Sequence, residues 1–161
     1  MSVERVKDYL EQYGMGSRVM VLSVSSATVE LAAKALNTQE ARIAKTLSFQ
    51  GQSGPVLLVA AGDARIDNAK FKAAFGLKAR MLSPQEVLES VGHAVGGVCP
   101  FAIENPAVKV YLDESLKRFQ TVFPACGSGN SAVEMTMDEL ERTSKSAGWV
   151  DACKGWQEET A

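Results

Sequence analysis

Histidine is nearly absent from this 161-residue chain, in which His93 is the only one. A Ser-His-Asp triad or a histidine-based metal site therefore has little to draw on. Cysteine is scarce as well. Cys99, Cys126 and Cys153 form no CxxC pair and are odd in number, which argues against a disulfide framework or a zinc site and leaves them as small buried apolar residues. Neither GxGxxG nor GxxxxGK[ST] occurs, so the familiar nucleotide phosphate loops are missing. No apolar run approaches the roughly 20 residues of a membrane span. The opening "MSVERVKDYLEQYG" is amphipathic and mixed in charge, unlike a signal peptide. Cytoplasmic residence is the expectation, with no cofactor and no metal.

What is present is an ordinary globular composition, 46% hydrophobic and 22% charged, at a length that suits one domain with a real core. The net charge of −2 is unevenly spread. Residues 42–80 hold seven cationic side chains against Asp63 and Asp67, a local +5 that leaves −7 for the rest. Such polarity fits either one basic face offered to phosphates or a set of solvated lysines.

The pattern predicts a first helix on Val3, Val6, Leu10 and Tyr13, stopped by Gly14 and Gly16. A second helix follows in "SATVELAAKALN", with Ser26 as its expected N-cap. Residues 42–50 and "PVLLVAAG" read as a hairpin across "GQSG", its second strand buried on both faces. Helices are expected over 67–76, opened by Asp67, and over 83–92, where Ser83, Pro84 and Glu86 form a capping box. The stretch "GHAVGGVCPFAIENP" is too rich in Gly and Pro for a regular element. Strands "VKVYLD", "TVFPA" and "SAVEM", a short helix "ESLKRF", a last helix capped by Thr136 and Glu139, and a final strand in "GWVDAC" complete the reading. Together they describe an α/β fold: a single domain, with a mixed, curved, partly barrelled sheet and flanking helices.

Within "ARIAKTLSFQ", residues 41–50, the alternation of a strand puts Lys45 on the same face as Ile43, Leu47 and Phe49. Either the ammonium leans off the strand's lip into water, or it lines a pocket and faces an anion. Burial of that charge costs several kcal/mol unless a partner such as Asp63 or a ligand offsets it. Gly96 and Gly97 allow close backbone approach and N–H groups aimed at an oxyanion, or simply make a turn. Gly62 and Asp63 follow a strand's carboxyl end, where ligands collect in α/β folds, though either Asp63 or Asp67 fits a cap opening the next helix equally well. "CGSGN", with Ser128 and Asn130, is a two-glycine turn able to reach a pocket mouth. His93 reads as a surface or capping residue.

In order and spacing, "ARIAKTLSF", "VLLVAAGDARID", "ARMLSPQEVLESVG", "GGVCPF" and "VKVYLDESL" resemble the YbaK family of aminoacyl-tRNA deacylases, related to the editing domain of bacterial prolyl-tRNA synthetases. The resemblance covers about residues 18–153 of a single domain spanning 1–161. It implies hydrolysis of the ester between a wrong amino acid and the 3′-terminal adenosine of a tRNA, most fittingly Cys- or Ala-tRNA(Pro). The family's required lysine falls on Lys45 and its glycine-rich wall on Gly96 and Gly97, leading into Cys99, Pro100 and Phe101. Its GD turn falls on Gly62 and Asp63. Some relatives carry a histidine where this chain has Ser128 and Asn130, and some a serine at Cys99, which bears on substrate choice. The implied partners are the tRNA 3′ end and prolyl-tRNA synthetase, for a free-standing, trans-acting monomer. The competing expectations are a non-catalytic tRNA- or synthetase-binding module, and a regulatory domain sensing a small amino acid or nucleotide, which needs no basic surface.

Overall fold

The computed structural model describes residues 2–157. Its helices start where short polar side chains can accept the first free N–H groups. Helix α1 (Val3–Glu11) is capped by Ser2, α2 (Val29–Leu36) by Thr28, and α3 (Asn68–Phe75) by Asp67. Both expected capping boxes form, Ser83–Glu86 on α4 (Pro84–Val91) and Thr136–Glu139 on α5 (Met137–Ser144). Ser26 does not cap α2. That helix begins two residues later than the sequence suggests because the Thr28 hydroxyl accepts from the Leu31 N–H.

The hairpin of β2 (Ile43–Gln50) and β3 (Pro55–Ala61) is the centre of a six-stranded sheet. Its other strands are β5 (Lys109–Asp113), β6 (Thr121–Pro124), β8 (Met135–Thr136) and β9 (Gly148–Val150). The order β8-β6-β2-β3-β5-β9 mixes parallel and antiparallel pairs, and the sheet curls into a half-barrel. Two small ladders close it: β1 (Met20–Val21) on β7 (Ser131–Ala132), and β4 (Arg65–Ile66) on β10 (Cys153–Lys154). The segment read as one strand over 131–135 is thus two short ones pairing with different partners, and "ESLKRF" is a 3₁₀ helix, Glu114–Arg118. Among the described residues no helix is long and apolar enough to cross a membrane.

Residues 56–61 of β3 are buried on both faces, as the unbroken apolar run requires. They meet Leu10 of α1, Phe71 of α3, Val87 of α4 and Leu140 of α5 in one core. A row of rings, Phe49, Phe71, Phe75 and Tyr111, runs from this core outward with centroids 4.6–5.1 Å apart. All three cysteines are buried and free.

His93 is no surface residue. It is fully buried, and its Nε2–H donates to the Phe101 carbonyl at 2.8 Å, which leaves Nδ1 without a partner among the described residues. Burial holds its pKa below the ordinary range, so the ring is neutral.

Candidate functional site

A cavity of about 340 Å³ opens between β2, the segment before α2, and α4. Its wall is chiefly apolar, with Val29, Ile43, Val87, Val98 and Phe123 among the contributors. The face of β2 that alternates with the Lys45 face also contributes to that wall. Thr46 and Ser48 line it, and Ala44 and Ser48 are buried. Two hydroxyls in the wall, Ser26 Oγ and Thr46 Oγ1, are shielded from water and have no hydrogen-bond partner among the described residues. Buried polar groups are ordinarily paired, so these two are exceptions within the wall.

Lys45 also lines the cavity and is half-buried. Its ammonium donates to the carbonyls of Ala64 and Gly62, the latter at 3.3 Å. No carboxylate of the described residues pairs with it. Burial pushes its pKa below the ordinary lysine value, against the opposing fields of Cys153 and Asp63. The apolar company of Lys45 thus has a physical account: the charge is met by backbone dipoles of the turn after β3. Asp63 itself is not the partner the sequence offers, because Arg118 takes both of its oxygens, at 2.6 and 3.0 Å. Gly62 is forced by space. A Cβ there would lie 2.0 Å from the Glu40 carbonyl oxygen and 2.8 Å from Val29.

The glycine-rich loop reaches the cavity through Gly96, whose φ of +99° is one that side chains rarely adopt. Gly97 stands behind it. A Cβ at Gly97 would meet the backbone of Gly127 and Ser128 at 2.6–2.7 Å, so this glycine lets two loops lie against each other. The Gly97 N–H is also spent, donating to the Ala94 carbonyl at 3.0 Å. Cys99, Pro100 and Phe101 are buried behind the loop, with Phe101 in the main core. Burial pushes the Cys99 thiol up to about 12, which makes it inert.

Ser128 and Asn130 serve the loop rather than the cavity. Asn130 holds residue 22 by donating to its carbonyl at 3.2 Å and accepting its N–H at 2.6 Å, and Ser128 Oγ lies 2.8 Å from both Asn130 Oδ1 and Ser131 Oγ. The neighbouring Gly129 carbonyl accepts from the Ser26 N–H at 2.7 Å, which seats Ser26 in the wall. Of the residues singled out in the sequence, the structure therefore brings Lys45 and Gly96 to the cavity. Gly62 supplies Lys45 with a carbonyl, and the others support these from outside. Thr46 and Phe123 also line the cavity without being candidates from the sequence, as does Ser26, which reads there only as a helix cap. The alternation that places Thr46 and Ser48 together on β2 was the one signal for any of them.

The protein-family model of the aminoacyl-tRNA editing domain matches residues 24–143. YwhH of Bacillus subtilis, an uncharacterized protein, is 54% identical over 158 residues, which span 98% of this chain and all of YwhH. Proline--tRNA ligase of Thermosipho melanesiensis is 29% identical over 135 residues, 83% of this chain but only 23% of the ligase. EbsC of Enterococcus faecalis, named as a candidate Cys-tRNA(Pro)/Cys-tRNA(Cys) deacylase, is 26% identical over 115 residues, 70% of each chain. A solved structure, described as a candidate trans-editing enzyme for prolyl-tRNA synthetase, superposes with a TM-score of 0.85 at 32% identity, covering 96% of this chain and 99% of its own.

Proposed function

Because the chain belongs to the aminoacyl-tRNA editing domain family, we propose that it hydrolyses the ester joining a wrong amino acid to the 3′-terminal adenosine of a transfer RNA. Water adds to the ester carbonyl, the ribose oxygen leaves with a proton, and free amino acid and intact tRNA result. An aminoacyl ester is already activated, and the neighbouring ribose 2′-hydroxyl is placed to help orient the water. What remains for the protein is to hold the ester, exclude larger side chains and stabilise the oxyanion.

The observation that carries this reading is Lys45, a half-desolvated ammonium at the wall of a cavity with an apolar lining. A charge held out of bulk water interacts more strongly with the terminal phosphate or the adenosine end of a tRNA. Its role is binding and positioning. Gly96, which lines the cavity, is the glycine for the oxyanion, since the Gly97 N–H already has an acceptor. By the logic of the family the site admits a small side chain, with Cys- or Ala-tRNA(Pro) as substrate, and rejects proline by shape. Discrimination against something smaller is worth only ~1–3 kcal/mol per methylene. The chain matches YwhH and the trans-editing structure over nearly their whole length, against about a quarter of a proline--tRNA ligase, and this supports action in trans alongside prolyl-tRNA synthetase.

The test is deacylation of tRNA charged with alanine, cysteine, serine, threonine or proline, by the native protein and by Lys45→Ala. One small amino acid is expected to be released, and the substitution to abolish its release. No turnover on any charged tRNA, with tRNA still bound, would make this fold a binding module.

A further inference from the structure

The turn that seats Lys45 is itself clamped from outside. The 3₁₀ helix Glu114–Arg118 grips it at two points. At its start the Ser115 hydroxyl accepts from the Ala61 N–H at 3.1 Å, and Ser115 is in turn fixed by the buried Asp113, whose carboxylate accepts from the Ser115 N–H at 2.9 Å. At its end the Arg118 fork closes on both oxygens of Asp63. The carbonyls that receive the Lys45 ammonium belong to Gly62 and Ala64, the two residues flanking Asp63.

Arg118 is held as firmly as it holds. Its guanidinium carbon lies 4.9 Å from the Phe119 ring centroid and 5.2 Å from that of Trp156. Its N–H groups also donate to the carbonyls of Ser115 at 3.0 Å and Trp156 at 3.1 Å. Three-quarters of the side chain is shielded from solvent. A bidentate, charge-assisted pair under these conditions fixes geometry in a way an exposed ion pair does not, and lysine cannot reproduce the fork.

We infer that Arg118 is a positioning residue for Lys45: its grip on Asp63 fixes the Gly62–Ala64 turn, and the turn's carbonyls aim the ammonium at the cavity. This rests on the reading of Lys45 as the residue that meets the substrate. It adds Arg118, distant from Lys45 in the chain, to the working parts, and it gives Asp63 a task outside the cavity.

The experiment compares Arg118→Met, Arg118→Lys and Asp63→Asn with the native protein, by two readouts and a control. The first readout is the rate at which Lys45 is reductively methylated, followed by peptide mass. A half-buried lysine bonded to two carbonyls reacts slowly, and its release is expected to raise the rate several-fold in Arg118→Met and Asp63→Asn, with Arg118→Lys in between. The second is kcat/KM for deacylation, expected to fall roughly 10- to 100-fold, the scale of a misplacement near 1 Å. The control is Tm, which separates a loosened turn from a loosened protein. Asp63→Asn keeps the stacking of Arg118 on its rings, so it decides the matter if Arg118→Met fails to fold. Unchanged methylation of Lys45 with unchanged kcat/KM in Asp63→Asn would overturn the inference. Full deacylation by Lys45→Ala would overturn the functional reading instead, and faster methylation of Lys45 would still show the clamp.

Discussion

At the scale of a residue, Lys45 carries a cost that an exposed lysine does not. Burial lowers its pKa, so its charge is lost as pH rises through a value below the usual lysine range. If the ammonium is what binds the tRNA end, the enzymatic rate, after subtraction of alkaline ester hydrolysis, falls on the alkaline side earlier than an ordinary lysine would dictate. Lys45→Arg keeps its charge at any accessible pH. That variant is expected to be slower at neutral pH, because its fork fits two carbonyls differently, and to lack the alkaline fall. Rates measured across the neutral and alkaline range decide this, and an identical alkaline limb in both proteins would place the titration elsewhere. The odd position of Lys45 was legible because it breaks a period of two within a single strand. Its carbonyl partners, 17 and 19 positions further on, were not, since no local pattern records which turn folds back over a strand.

At the scale of an element, the glycine-rich loop and the 126–130 turn act as one unit because Gly97 lets their backbones touch. Gly97→Ala drives a methyl into backbone atoms of Gly127 and Ser128 that cannot rotate away. We expect a loss of about 1–3 kcal/mol, or roughly 2–4 °C in Tm for each kcal/mol, together with loss of deacylation as Gly96 and Ser26 shift. An unchanged Tm would mean that the loops separate without penalty. The elements that could be read in advance are those settled by their own neighbours. The two capping boxes close within three residues, and the β2–β3 hairpin turns within four. The ones missed are settled from afar. His93 is buried although the Gly-rich segment around it marks no regular element, because its bond to Phe101 draws it inward. Ser26 yields the cap to Thr28, whose hydroxyl accepts from the Leu31 N–H, while the Gly129 carbonyl 103 positions on in the chain holds the Ser26 N–H. Residues 131–135 divide because β1 and β6 each take one end.

At the scale of the whole molecule, the basic stretch is less basic than its count. Lys70 pairs with Asp151, Arg80 with Glu86, and Arg42 with Glu134, while Lys45 points inward. Arg65 has no ion pair among the described residues, and neither do Lys72 and Lys78. Replacing these two by glutamine is expected to weaken tRNA binding and to reduce the slope of log K against log salt by roughly 0.7–0.9 for each phosphate no longer neutralised. Replacing Lys70 and Arg80 as well should add less, since each already has a carboxylate beside it. A slope unchanged by the first pair would show those lysines to be merely solvated. The sheet has a property of another kind, written in its strand order. After the β2–β3 hairpin, β5 joins beside β3, β6 beside β2, β8 beside β6 and β9 beside β5. Each strand is added to an outer edge in the sequence in which it is made. A chain leaving the ribosome at about 5–20 residues per second therefore always finds its docking edge already built, and never has to pry joined strands apart to admit a later one. Assembly of this sheet can keep pace with synthesis, the newest strand covering the edge that would otherwise invite a stranger.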